Sequence, residues 1–365
     1  MTHLGGNRIN DPPRSFLHNG TIWEGPKMPH LIGKMFYVGE VPWHGLGTLL
    51  PALQDLEGAI AAGGLDWTVS TRPLSVAGES LSVAPQRLAV VRDDRKTGER
   101  GRVLGVVHPQ FQLLQNRDGL ALFDGLFEGG GKYETGGYLK EGEVVWLQAA
   151  LAEPIQVGDN DELKTYLLFS NSHDGTRPID IRLTTVRVVC NNTLTLATRA
   201  REAGTFFRRG HNLSLEKLGT EAKAFFGLVL QDQSTQQEIM KKMAAARCDD
   251  TAFRAFLEKL LPDPLPPASA ATNRAVAGAY ATRLDHVRAS RQAMFGVRRD
   301  GCRQRESTQQ VQAEEETWWG TLNAITAWVD HVQEVKGSAF AHQMFGAGND
   351  FKSSAYARIR TELSL

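Results

Sequence analysis

Between Arg182 and Arg209, six arginines (Arg182, Arg187, Arg199, Arg201, Arg208 and Arg209) stand against one acid, Glu202. The same stretch carries Asn191, Asn192, Thr193, Thr195, Thr198, Phe206 and Phe207. Guanidinium forks grip phosphate oxygens, amides and hydroxyls reach sugar or base edges, and aromatic faces stack on bases. Such a set suits nucleic-acid binding and makes or breaks no bond. A solvated basic face over core phenylalanines has the same composition, so both readings stand at this point. A second group, Arg288, Arg291, Arg298, Arg299, Arg303 and Arg305, has only Asp300 within it. It is expected as a basic loop between helices, suited to an anionic strand or an acidic neighbouring subunit.

Bond-making chemistry has less to work with. Glu162-Leu163-Lys164 offers a carboxylate for a metal and an activating lysine, as phosphodiester hydrolysis requires. It follows Asp159-Asn160-Asp161, where a solvated loop is the natural expectation. No GxxxxGK[ST] loop, HExxH pair or GxSxG elbow occurs. The ten histidines are scattered, so no metal-ligand set and no cofactor motif emerges. Cys190, Cys248 and Cys302 lie far apart and are odd in number, which argues against a disulfide framework. Cys190 has no histidine at a recognisable spacing and reads as a structural thiol. Trp43-His44-Gly45-Leu46-Gly47 is expected to pin an N-terminal arm to the core, with a stacking platform as the alternative.

These residues need elements to hold them. Short apolar runs at 65–69, 88–91 and 103–107, each closed by Pro, Gly or charged residues, are strand signals. The turn Asp93-Asp94-Arg95-Lys96-Thr97-Gly98 joins two of them. A helix capped by Asn116 or Asp118 follows, stopped by Gly129-Gly130-Gly131. Two hairpins are predicted next, 133–139 with 144–151 and 163–170 with 179–189. Period-two alternation in the last strand puts Arg182 and Arg187 on different faces. From His211 the spacing turns helical, with apolar stripes at Leu215, Leu218, Ala222, Phe225, Phe226 and Val229, and again at Phe253, Phe256, Leu257, Leu260 and Leu261. Pro262-Asp263-Pro264-Leu265-Pro266-Pro267 reads as a linker, and two more helices are expected over 275–291 and 318–332.

At 365 residues with 41% apolar and 22% charged residues, the chain can bury a full core. Lys+Arg and Asp+Glu are both 41, so attraction to a polyanion must come from local patches. No run of some 18 apolar residues predicts a membrane span, and nothing at the start reads as a signal peptide. Strands first and helices afterwards predict an α+β fold. The expected divisions are an irregular arm (1–34), an α+β core (35–211), a helical segment (212–261), a proline-rich linker (262–272) and a helical C-terminal region (273–365).

Several stretches together resemble a known family: Trp43-His44-Gly45-Leu46-Gly47, Glu134-Thr135-Gly136-Gly137, Ser170-Asn171-Ser172-His173-Asp174-Gly175, Val186-Arg187-Val188-Val189-Cys190-Asn191-Asn192-Thr193-Leu194 and Trp319-Gly320-Thr321-Leu322-Asn323. From about Met35 onward the chain resembles the phage/plasmid-like protein family, a domain of unknown function carried by bacteriophages, plasmids and actinobacterial genomes. The resemblance implies a mobile-element protein of the bacterial cytoplasm and brings no established activity. The helix-then-hairpin order, 115–128 before 132–151, is similar to the core of single-strand annealing recombinases. Together with the arginines this sets the expectation: a homo-oligomeric accessory protein that binds single-stranded DNA in annealing, recombination or replication. The expected contacts are Arg182, Arg187, Arg199, Arg201, Arg208 and Arg209 with Asn191 and Asn192, with no cofactor, metal or membrane. The rivals are a metal-dependent nuclease using Glu162 and Lys164, and a non-enzymatic protein-interaction module that blocks a host defence.

Overall fold

A computed structural model describes residues 17–18, 21–22, 31–39, 46–76, 82–93, 101–151, 154–158, 161–187, 193–195, 206–304, 316–335 and 338–365. The architecture is α+β, with the strands in the first 209 residues and the long helices after them. A two-stranded ribbon, β1 (Leu17–His18) with β2 (Thr21–Ile22), precedes the main sheet. That sheet runs β13-β12-β11-β9-β8-β3-β4. Its strands are β3 (Ile32–Val38), β4 (Thr48–Leu50), β8 (Tyr133–Leu139), β9 (Val144–Ala150), β10 (Ile155–Gly158), β11 (Asp161–Ser172), β12 (Ile179–Arg187), β13 (Thr193–Thr195) and β14 (Phe206–Arg209). Strand β10 lies against β11, and β14 shares the outer edge of β12 with β13. A smaller antiparallel sheet joins β5 (Thr68–Val76), β6 (Ser82–Asp93) and β7 (Arg102–Val107).

Both predicted hairpins form, β8 with β9 and β11 with β12. The first turns through Gly142 at φ +113°, a conformation that glycine reaches without steric cost. Strands β6 and β7 also pair as expected, although residues 94–100 of their connection lie outside the described residues. The run at 65–69 becomes a strand only from Thr68. Before it, α1 (Leu56–Gly63) ends at Gly64 in the left-handed region, and Leu65 and Trp67 plug the core from an extended loop. The helix α2 (Asn116–Asp124) starts without a side-chain cap. Asn116 turns inward instead, and Gln115 pairs with both backbone groups of Val69 at 2.9 and 2.8 Å.

Helices cover the main sheet on both faces. On one side α1 lies on β3 and β8, α2 on β11, and α3 (Leu215–Ala245) on β10 and β14. Behind α3 stand α4 (Asp250–Leu260), α5 (Arg274–Gln304) and α6 (Trp318–Ala327), which runs on into a π turn at Trp328–Val332. One contiguous core extends from Phe36 through Leu147, Phe169 and Ile181 to Phe225, Ile325 and Ile359. On the opposite face, α7 (Ala339–Phe345) lays Phe340, Met344 and Phe345 on Met35, Trp146 and Leu168, a second and separate cluster. The last helix, α8 (Ala347–Glu362), meets β13. The helical region is therefore packed across the sheet rather than appended to it.

Three local expectations change. Residues 288–304 are the end of α5 and not a loop, because Met294 and Phe295 bury there and anchor the helix. Glu162 stands in strand β11, which begins at Asp161. Asn171 and Ser172 close that strand, with only the residues after them forming the loop.

Candidate nucleic-acid interface

Strand β12 organises the arginine-rich stretch. Its register places Asp180 opposite Ser170 of β11 on one side and Arg208 of β14 on the other. Asp180 is buried and takes two guanidinium groups, Arg182 Nε on Oδ1 at 2.6 Å and Arg208 Nε on Oδ2 at 2.9 Å. Arg182 also donates from Nη1 to the carbonyl of Met344 at 3.3 Å. With 4% of its side chain exposed, Arg182 is not placed to meet a phosphate from solvent, a correction to the sequence expectation. A buried arginine requires a carboxylate, and Asp180 two residues away supplies it on the same strand face.

Arg208 and Arg209 occupy the sheet edge, with side chains 43% and 42% exposed. They alternate across β14, Arg208 toward Asp180 and Arg209 toward α3, where it pairs with Glu221. Arg209 also lies over the Phe207 ring at 4.9 Å, and Phe207 itself is core, packed against Phe225. Arg187 ends β12 opposite Leu163. Asn191, Asn192, Arg199, Arg201, Trp43 and Cys190 lie outside the described residues. The register still fixes where that chain leaves and rejoins the sheet: Thr195 faces Thr184, and Phe206 faces Arg182.

The second arginine group is dispersed along α5. Arg288 reaches Asp263 at 3.0 Å, and Arg291 holds the same carboxylate. The hydrogen bond from Arg288 keeps Asp263 below the usual carboxylate range. Arg298 is buried over the Phe253 ring, with Asp250 at 2.6 Å and the Cys248 carbonyl at 2.9 Å. Arg299 is exposed, and Arg305 lies outside the described residues. Lys164 is exposed on β11, and among the described residues no three His, Cys, Asp or Glu side chains gather to hold a metal ion.

Two buried polar sites escaped sequence reasoning. His173 is fully buried, its Nε2 2.7 Å from Asn116 Oδ1. Asn116 Nδ2 donates to the carbonyls of Leu65 and Trp67, so its oxygen must accept, and this sets His173 as the Nε2–H tautomer. Burial, with a smaller contribution from His211, lowers the His173 pKa to about 3. The second site joins Lys352 of α8 to Asp330 of the π turn at 2.6 Å, both almost wholly buried. Burial pushes the Lys352 ammonium downward, and Asp330 opposes that shift. Gln343 of α7 donates to the Asp330 carbonyl at 2.8 Å. A single acid in the apolar run 318–332 was the signal available for this pair, since a buried aspartate there needs a cation.

No curated protein and no solved structure matches the chain. A family described as a domain of unknown function, DUF932, matches residues 103–353. That match runs from β7 to α8 and takes in the β12 edge, the His173 site and α7, so the chain belongs to the DUF932 family.

Proposed function

We propose that this chain is a non-enzymatic binder of single-stranded nucleic acid, acting in annealing, recombination or replication of a phage or plasmid in the bacterial cytoplasm. The observation that carries the reading is the register at the outer edge of β12. Strand β13 leaves that edge opposite Thr184 and β14 rejoins it opposite Arg182, with Arg208 and Arg209 half-exposed beside the return. Arg187, Arg208 and Arg209 belong to the strands of this edge. In the proposal Asn191, Asn192, Arg199 and Arg201, which lie between β12 and β14 in the sequence, act with them. At Arg209 a phosphate would take the place of Glu221, whose side chain is 29% exposed. Annealing requires subunits side by side on a strand, so a homo-oligomer belongs to the proposal.

Fluorescence anisotropy with labelled single-stranded DNA, duplex DNA and RNA, over a salt series, tests it. Four phosphates neutralised on a single strand give a log–log salt slope of about −3. The double substitution Arg208→Ala and Arg209→Ala is expected to weaken binding and flatten that slope by about 1 to 1.5. Affinity independent of salt, or equal for the variant and the parent protein, overturns the reading.

A further inference from the structure

We infer that the sheet face beneath α7 is a covered platform for a nucleic-acid strand, and that α7 is the cover that lifts to admit it. The inference rests on the nucleic-acid reading above and names a site that the β14 edge alone does not supply.

The strand registers place six residues in one row across the sheet: Met35, Gly137, Trp146, Ser170, Asp180 and Arg208. At the usual strand spacing this row is about 24 Å long. It ends at Arg208, so the face under α7 is continuous with the proposed edge site. The next row brings Gln148, Leu168 and Arg182 to the same face. An aromatic ring, arginines and hydroxyls on a sheet surface are what single strands use for stacking and phosphate contact; here Asp180 balances Arg182 and Arg208 in the covered state, so a phosphate would share those guanidinium groups with it.

In this structure α7 presents to the face two rings, Phe340 and Phe345, and two carbonyl oxygens, the kinds of group that a nucleic-acid strand presents. Phe340 lies on the Trp146 indole with centroids 4.9 Å apart and 38° between planes, where a base would stack. Arg177 donates to the carbonyl of Phe345 at 2.7 Å, and Arg182 to that of Met344 at 3.3 Å. These terminal carbonyls carry the negative end of the helix dipole, in the place of phosphate oxygens. Beneath the helix, Trp146 Nε1 is buried without a hydrogen-bond partner among the described residues, as is the hydroxyl of Thr184 on the same face. A strand carries acceptors for both.

The packing lets α7 move without unfolding the rest. Its cluster of Phe340, Met344 and Phe345 with Met35, Trp146 and Leu168 is separate from the main core. The helix is seven residues long and ends at Gly346; lifting it breaks the bond from Gln343 to the Asp330 carbonyl and the His342–Gln333 contact, while α8 keeps its own anchors, Lys352 to Asp330 and Tyr356 to Gln236.

The test uses the full chain with Phe340→Ala and Met344→Ala, which weaken the cover and leave the platform residues in place. Apparent affinity scales with the open fraction, so anisotropy with labelled oligothymidine should show binding about fivefold or more tighter than in the parent protein. In parallel, hydrogen exchange on the parent protein should show α7 amides exchanging faster when the strand is bound, while β9 and β11 gain protection. If the double variant is poorly folded, the exchange measurement decides alone. Parent binding that is intact but not tightened by the substitutions, or α7 amides unchanged in the complex, overturns the cover and leaves the edge site standing. No binding of any strand by either protein overturns both.

Discussion

His173 stays neutral because its imidazole is fully buried against Trp67 and Asn116, where a charge finds no water. Its folded pKa is about 3, against about 6.5 in the unfolded chain. Between those values only the unfolded chain takes up the proton, so stability falls as pH falls; above 6.5 this group contributes no pH dependence. Going from pH 7 to pH 5 should cost about 2 kcal/mol through this residue. The substitution His173→Gln keeps a donor toward Asn116 and removes the titration. Urea unfolding at the two pH values should show a pH penalty smaller in the variant by about that amount. His211 and His342 are also shifted down by burial and keep their own part of the penalty, so the variant should flatten the dependence without abolishing it. Equal pH dependence in both proteins contradicts a neutral, enclosed imidazole. None of this was legible in the sequence, where His173 sat in a run of turn residues. The enclosure comes from Trp67 and Asn116, more than fifty residues away in the chain. Arg182 teaches the same lesson: its type and neighbours suggested a phosphate contact, and Asp180 claimed it because strand alternation puts both on one face.

The π turn, α7 and α8 are tied together through Asp330. Its carboxylate holds Lys352 and its carbonyl takes Gln343, so one residue fixes the approach of two helices. Removing one member of a buried pair strands the other, at a cost of about 3–5 kcal/mol. Lys352→Met should therefore lower the melting temperature sharply, and adding Asp330→Leu should recover much of the loss. A single variant as stable as the parent protein would show that Asp330 tolerates burial alone. At this scale the sequence was informative. Periodicity located α3, α4 and α6, and turn residues located both hairpins. It missed how far α5 continues, because the arginines after Arg291 look like a loop until Arg298 is seen against Asp250 and Phe253. It missed β4 and β10, strands of three and four residues whose existence depends on the neighbour they pair with.

For the whole molecule, the order of elements along the chain says little about which ones touch. Strand β3 finds β8 across a hundred residues, α8 reaches β13, and the main core draws on both halves. The proline-rich segment after α4 looked like a boundary between domains, and it is exposed, Leu265 by 89%. Yet α4 packs on both α5 and α8, so the segment is a surface crossing within a shared core. A protease site inserted between Leu265 and Pro266 should be cut readily. The two fragments should then elute together at the size of the uncut chain; separation on the column contradicts the shared core.

Trp146 and Leu168 lie near the middle of the sequence, and Phe340 and Met344 close over them only at its far end. While the chain is being made, some 170 residues must be added before that covering exists, on the order of ten to thirty seconds at cellular elongation rates. For that interval the nascent protein carries a bare aromatic and aliphatic surface, open to chaperones, to neighbouring ribosomes and to whatever else binds there first.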